Sequence, residues 1–437
     1  MVLFMETPLD PLQASLLALL AERGLATSVE LQQLTGKSQP TLSRALRSLS
    51  KQLVTLGQGK RTRYGLPQPI RGLPAQQPLW WTDVQGRTTR FGTLTLLAGG
   101  RVHVAADGID MLSRGQLPWF LAPLRLQGFL GREWALRLEL DGNPERWGLE
   151  QVLHAALRID DHPGAISIGD IKGELVPEEP ADISARASRY DALAADVAAT
   201  LPAGSSAGGE QSKFLSALAS GERVLVKFSP PRGTPFGERW HDLLHAEWLA
   251  LYVLAEHGFD VAPARVIASA TRTYFESTRF DRIGARGRRH AVALDAVHEA
   301  FVAGPRQHWA ASCEALVAQR RLSQGDADTV RTWLEFGRLI GNTDMHFGNI
   351  SLWADEPAKA RFALAPLYDM LPMRWRPDAF TGLQDYSPFE PPRLAHGESA
   401  WAMAQRYWQR LSAHAPVSPA LRSVAAEMAQ RLGSRTA

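Results

Sequence analysis

Apolar positions at helical spacing alternate with short alternating runs, and the two patterns divide the chain into a small helical start and a long mixed body. From Pro11 to Glu22, Leu12, Leu16, Leu17, Leu19 and Leu20 mark the buried side of an amphipathic helix. Thr27-Ser28-Val29-Glu30 is a capping-box pattern that opens a second helix through Leu34, which Gly36 breaks. Ser38-Gln39-Pro40 starts a third, whose inner stripe is Leu42, Ala45, Leu46 and Leu49. Leu53 to Leu56 and Arg63 to Leu66 flank Gly57-Gln58-Gly59-Lys60-Arg61 and read as a hairpin with a basic tip. Pro67 to Pro78 then reads as a linker. Beyond it, Phe91 to Leu97 and Arg101 to Val104 suggest strands, and Val152 to Leu157 and Ser188 to Thr200 suggest helices. Val224 to Lys227 is a strand, and His245 to Leu254 a helix. Val330, Trp333, Leu334, Gly337 and Ile340 recur at helical spacing and stop at Gly341-Asn342. Ile350 to Trp353, a turn at Asp355-Glu356-Pro357, and Arg361 to Ala365 form a second hairpin.

Charge sharpens the reading of the start. The net charge is only +3 over 437 residues, yet no Asp or Glu occurs from Leu31 to Thr82. Lys37, Arg44, Arg47, Lys51, Lys60, Arg61, Arg63 and Arg71 all fall in that island. Three short helices and a basic hairpin describe a winged helix-turn-helix that binds double-stranded DNA. Its third helix would present Thr41, Ser43, Arg44 and Arg47 to the groove, and its wing Lys60, Arg61 and Arg63 to phosphates. The competing reading is a helical interaction module with solvated charges.

Composition bounds the rest. With 45% apolar and 21% charged residues the chain is an ordinary globular one, long enough for two or three domains. The single cysteine, Cys313, excludes an internal disulfide framework and suits a reducing compartment. No apolar run approaches a membrane span and Met1 to Met5 lacks the features of a signal peptide, so the expected location is cytoplasmic, with no membrane partner.

The densest chemistry lies in Gly341-Asn342-Thr343-Asp344-Met345-His346-Phe347-Gly348-Asn349 and in Tyr368-Asp369. An Asp and an Asn five positions apart mark many solvated loops. Here the hairpin that follows should return Asp369 to the side of Asn349. That gives one carboxylate, Asp344, to orient an attacking hydroxyl, and two oxygen ligands, Asn349 and Asp369, for Mg²⁺, which is what phosphoryl transfer from ATP requires. Upstream, Gly208 and Gly209 permit close backbone approach to phosphates, whose charge Lys213 and Lys227 can offset. Glu247 is the candidate carboxylate to orient Lys227.

These segments resemble the HipA-like serine/threonine kinase family of bacterial type II toxin–antitoxin systems. Ser206-Ala207-Gly208-Gly209-Glu210-Gln211-Ser212-Lys213 is similar to its glycine-rich loop, Val224 to Lys227 to its lysine-bearing strand, and Thr278-Arg279-Phe280-Asp281-Arg282 to its hinge. Ala365 to Pro372 and Gln127 to Arg132 also follow the family pattern, and the resemblance covers about residues 78 to 437. Ser212 and Thr278 depart from it, where proline and an acidic residue are usual.

The resemblance implies an α+β, two-lobed, protein-kinase-like fold behind the winged helix-turn-helix. The corresponding domains are residues 1–67, a linker at 68–78, an N-terminal region and N-lobe at 79–282, and a mostly helical C-lobe at 283–437. It implies ATP and Mg²⁺ as cofactors and a protein substrate. Phe280 and His346 would contact the nucleotide, and Ser206 would be autophosphorylated. A separate antitoxin is a candidate partner, although a fused DNA-binding module departs from the family's usual arrangement. Two other functions stay open: a transcription regulator with a nucleotide-sensing kinase-like body, and a small-molecule kinase.

Overall fold

The structure is a computed structural model that describes residues 9–171, 178–179, 182–200, 211–378, 380–393 and 398–434. The glycine-rich segment with Ser206, Gly208 and Gly209 lies outside the described residues.

At the N-terminus, α1 (Pro11–Arg23), α2 (Ser28–Thr35) and α3 (Gln39–Ser48) surround Leu16, Leu20, Leu31, Leu42 and Leu46. Each start follows local chemistry. Thr27 accepts from the Glu30 N–H while Glu30 accepts from the Thr27 N–H at 2.7 Å, and Pro40 stands in the first turn of α3. Gly36 ends α2 in the left-handed conformation, φ 65°. Strands β2 (Val54–Leu56) and β3 (Arg63–Gly65) form the expected hairpin. A further strand, β1 (Leu25–Thr27), joins β3 to complete a sheet of order β1-β3-β2; three residues are too few for a periodic signal.

The Pro67–Pro78 stretch, expected as a linker, is packed. Ile70 is fully buried in the largest core, the Gln68 N–H donates to the Leu96 carbonyl at 2.9 Å, and the Ala98 N–H donates to Leu66 at 2.8 Å. Prolines keep the backbone extended, and here that backbone pairs with Leu96 and Leu97, at the end of a long strand. Strands β4 (Gln76–Thr82), β5 (Thr88–Leu97), β6 (Arg101–Ala106), β7 (Ile109–Arg114) and β8 (Ile166–Ile168) make an antiparallel sheet of order β7-β6-β5-β4-β8. Helices α4 (Gly128–Arg137) and α5 (Leu149–Ala156) lie between β7 and β8 in sequence.

Next come β9 (Glu178–Glu179), α6 (Ile183–Thr200), β10 (Lys213–Leu218), β11 (Arg223–Phe228), α7 (Pro235–Glu256), β12 (Ala264–Ala268) and β13 (Thr273–Thr278). Their sheet has the order β12-β13-β11-β10-β9, with α7 packed on β12 and β13. After the short pair β14 (Arg282–Ile283) and β15 (Gly287–Arg288), β16 (Ala291–Ala293) leads into the helical part. This comprises α8 (Leu294–Phe301), α9 (Trp309–Ala318), α10 (Gln324–Leu339), α11 (Glu398–Ala413) and α12 (Pro419–Gly433). Strands β17 (Ser351–Trp353) and β18 (Ala363–Leu364) are the expected second hairpin, and β16 adds to its free edge. One apolar core runs through the middle sheet, α7 and the helical part: Leu94, Phe120, Leu249, Leu251, Trp309 and Trp333 all belong to it. No described helix is long and apolar enough to cross a membrane.

Candidate active site

Strand register builds one wall of the site. Lys213 pairs with Lys227, and Lys227 pairs with Phe275, so these three side chains share one rung of the sheet. Two residues along, Leu215, Leu225 and Ser277 form a second rung on the same face. All six line a cavity of about 470 Å³, a size suited to a small ligand. One rung is cationic and the next mainly apolar.

Lys227 is buried and holds two carboxylates, donating to Glu247 on α7 and to Asp369, each at 2.6 Å. Burial disfavours its charge, but Asp369 and Glu247 hold its pKa above the ordinary lysine range. Burial would raise the Asp369 carboxyl, yet Lys227 and Lys213 hold it low. Burial pushes the Glu247 carboxyl upward against the pull of Lys227, and its second oxygen has no hydrogen-bond partner. Lys213 is pushed down by burial. Asp369 adopts φ 58°, a left-handed conformation costly for a residue with a Cβ, of the kind that concentrates at functional sites.

The loop opposite is tied by short hydrogen bonds. The Asn349 amide donates to the Asp344 carbonyl at 2.8 Å, which leaves its side-chain oxygen as the remaining ligand atom. The Tyr368 hydroxyl donates to the Gly348 carbonyl at 2.8 Å and is 2.9 Å from the Ser351 hydroxyl, so the segment before Asp369 is fastened to the loop bearing Asn349. Asn349 and Asp369 line the same cavity. Two hard oxygen donors beside a phosphate-sized cationic wall fit Mg²⁺, which takes one or two protein ligands and completes its shell with phosphate and water. Among the described residues no group of three or more His, Cys, Asp or Glu could hold a metal alone.

Not every expected residue lines the cavity. Phe280 does, packed edge-on to Trp353 at 5.5 Å and tilted against Tyr368 at 5.6 Å. Asp344 is half-buried on the loop and His346 is exposed; neither is on the cavity wall. The His346 Nδ1 accepts from the Gly348 N–H at 3.0 Å and its carbonyl accepts from the Trp309 indole, so its visible role is to shape the loop. Cys313 is buried, its thiol pushed up to about 12, and takes no part. In the N-terminal module Arg44, Arg47, Arg61 and Arg63 are exposed, and Thr41 and Ser43 half-buried. The Lys60 side chain lies outside the described residues.

Sequence reasoning missed the third wall. Arg125, Leu130, Trp134 and Asp161, all before residue 170, line the cavity beside the hinge residues. Asp161 holds Arg279 and Arg282, which also hold Asp281; burial would raise the Asp281 carboxyl, but the two guanidiniums keep it at about 2. Only the hinge pattern hinted at the network, since its partners are 118 and 121 residues apart in the chain.

Comparison with known proteins agrees with this architecture. Residues 205–435 match the HipA-like C-terminal domain, and residues 73–174 match the YjjJ-like toxin middle domain. Toxin YjjJ of Escherichia coli (strain K12) is 36% identical over 430 residues, which cover 94% of this chain and 95% of that protein. A chain of the Shewanella oneidensis MR-1 HipA, HipB and operator DNA complex superposes with a TM-score of 0.53 at 18% identity. The superposition covers 82% of this chain and 96% of that one, and speaks to the fold alone. With a matched C-terminal domain, a matched middle domain and a relative that follows nearly its whole length, the chain belongs to the HipA-like toxin kinase family.

Proposed function

We propose that this protein is an ATP- and Mg²⁺-dependent serine/threonine protein kinase. The observation that carries the reading is Lys227 bridging Glu247 and Asp369 at 2.6 Å on the wall of a cavity that Asn349 also lines. Kinases need a strand lysine paired to a helix glutamate, with a carboxylate at the metal, and this chain keeps all of these groups. In this reading Lys227 and Lys213 neutralise phosphate charge, and Asn349 and Asp369 supply oxygens to Mg²⁺. Asp344 orients the acceptor hydroxyl from the loop, with the substrate itself completing that side of the site; catalytic contacts of this kind tighten only when substrate is bound. A nucleotide sensor without turnover would not require Asp344 and Asn349 to be kept together with Lys227 and Asp369.

Autophosphorylation at Ser206 is part of the proposal. A dianionic phosphoserine beside the nucleotide would repel the ATP phosphates and lower nucleotide affinity. The test is to incubate the purified protein with labelled ATP and Mg²⁺ and map phosphosites by mass spectrometry. Phosphate on Ser206, or on the adjacent Ser205, supports the reading. No phosphate on this protein or on any added protein, with ATP bound, would leave the sensor reading in its place.

We infer further that the N-terminal module is a winged helix-turn-helix that binds duplex DNA. Supporting this are α3 with Arg44 and Arg47 exposed, a wing with Arg61 and Arg63 exposed, and the sheet order β1-β3-β2. The Shewanella HipA complex contains HipB and operator DNA. In the present chain the fused module would itself supply a DNA contact, and an antitoxin partner would bind elsewhere on the chain.

A further inference from the structure

The third wall of the cavity is built by the middle domain and is held in place by strong contacts. Asp161 receives Arg279 and Arg282 at 2.5 Å each, and the Gly164 N–H donates to Asp281 at 2.8 Å. The Ala165 N–H donates to the His290 Nδ1 at 3.2 Å, while the His290 Nε2 lies 2.9 Å from the Phe120 carbonyl. Middle-domain backbone is therefore clamped to both ends of the 279–290 segment, directly beside Phe280. On the other side α4 contacts β10, the strand that carries Lys213 and Leu215.

Leu130 and Trp134 are one helical turn apart on α4 and both line the cavity. Trp134 is half-buried and makes no ring contact among the described residues, whereas Phe280 is already packed on Trp353 and Tyr368. A half-buried indole on the wall of a pocket that also carries the apolar rung of Leu215 and Leu225 is arranged to meet a flat, partly apolar group. The cationic rung, Lys213 and Lys227, accounts for the phosphates and leaves the apolar and aromatic lining for the nucleoside.

We propose that the middle domain completes the nucleotide pocket, with the Trp134 indole as a contact for the nucleoside of bound ATP. The proposal rests on the kinase reading of the same cavity. It makes nucleotide affinity a property of the two matched domains together, so that any displacement of the middle domain also opens the pocket.

The experiment measures ATP·Mg²⁺ binding to the full chain by calorimetry, alongside Trp134→Leu and Trp134→Phe. Leucine keeps an apolar side chain on α4 and removes the aromatic face; melting temperature reports whether either variant is folded. The expected result is an affinity loss of about 5- to 100-fold for Trp134→Leu, the scale of a base–aromatic contact, with most of it recovered in Trp134→Phe. Unchanged or tighter binding by Trp134→Leu overturns the proposal, and so does an equal loss in both variants. In each of these cases the unaltered protein binds ATP and the kinase reading stands. If the unaltered protein binds no ATP, both fall. Should Trp134→Leu be unfolded, the folded Trp134→Phe decides: its affinity must stay within a few-fold of the unaltered protein.

Discussion

The basic residues of the N-terminal module and those around the cavity are used in opposite ways. Arg44, Arg47, Arg61 and Arg63 stand exposed, with no carboxylate at ion-pair distance among the described residues. Lys227 and Arg282 are buried and Arg279 largely so, and each is held by two carboxylates: Glu247 and Asp369 for the lysine, Asp161 and Asp281 for the arginines. Exposed charges act through a field that salt screens, and each contributes little to folding. Buried charges are costly to desolvate, so they persist only in a geometry that satisfies them, and removing one partner strands the other. One set is arranged to meet a partner from solution, the other to hold a site in shape.

The largest effect expected from breaking this contrast is on turnover. Lys227→Met and Asp369→Asn should each lower phosphorylation about a thousandfold or more, the scale of losing a charged group at the transferred phosphoryl. The check is a rate measured at saturating ATP; a loss below tenfold for both would remove these residues from the proposed machinery. Asp161→Asn comes next, with an expected stability loss of about 3 kcal/mol by urea denaturation, because two buried guanidiniums would share one remaining carboxylate. Arg44→Ala should change stability by less than about 0.5 kcal/mol, as is usual for an exposed residue. Equal effects of these two substitutions would erase the distinction.

Acid provides a third comparison. Burial holds His162 and His290 neutral, lowering both from 6.5 to about 4. A depressed pKa contributes stability above the unfolded value that is lost as pH falls, so the window is pH 6.5 down to 4. Each histidine accounts for up to about 3 kcal/mol across it. Melting temperature should fall through that range, and less steeply in His290→Gln. Residues 1–102 contain no histidine, so the N-terminal module should not respond by this route. Salt tests the exposed charges directly. If the module contacts about four phosphates, raising salt from about 50 to about 200 mM should cost about two decades of DNA affinity. Lys60→Ala, Arg61→Ala and Arg63→Ala combined should flatten that slope while lowering affinity for all sequences alike. Binding insensitive to salt would point to a protein partner for the island.

Much of the fold is legible in the sequence where the signal is local. The capping box at Thr27 and Glu30, the stop after Leu339, and the hairpin between Asn349 and Asp369 all depend on residues close in the chain. Helix α7 shows the limit. Its periodicity predicts His245 to Leu254, but it spans Pro235–Glu256, because its first turns bury Arg239, His241 and Asp242 and so lack an amphipathic stripe. Those polar side chains are satisfied by distant groups: Arg239 by the Trp375 carbonyl, His241 by the Pro416 carbonyl, and Asp242 by Ser418 and Tyr386. A burial pattern that depends on partners so far along the chain has no local signature.

The order of residues alone established which groups are present and where they recur: the acid-free island, the lysine-bearing strand, and the Asp, Asn and Asp of the proposed phosphoryl-transfer site. These are written as composition and short spacings, which turns, caps and register convert directly into geometry. Three other features exist only once the chain has folded. The Pro-rich segment pairs with the end of β5, Lys227 meets both Glu247 and Asp369, and the middle domain walls the cavity through Asp161 and Trp134. Such contacts form because burying apolar surface in one shared core brings distant segments together, and the charges they carry must then find partners within it.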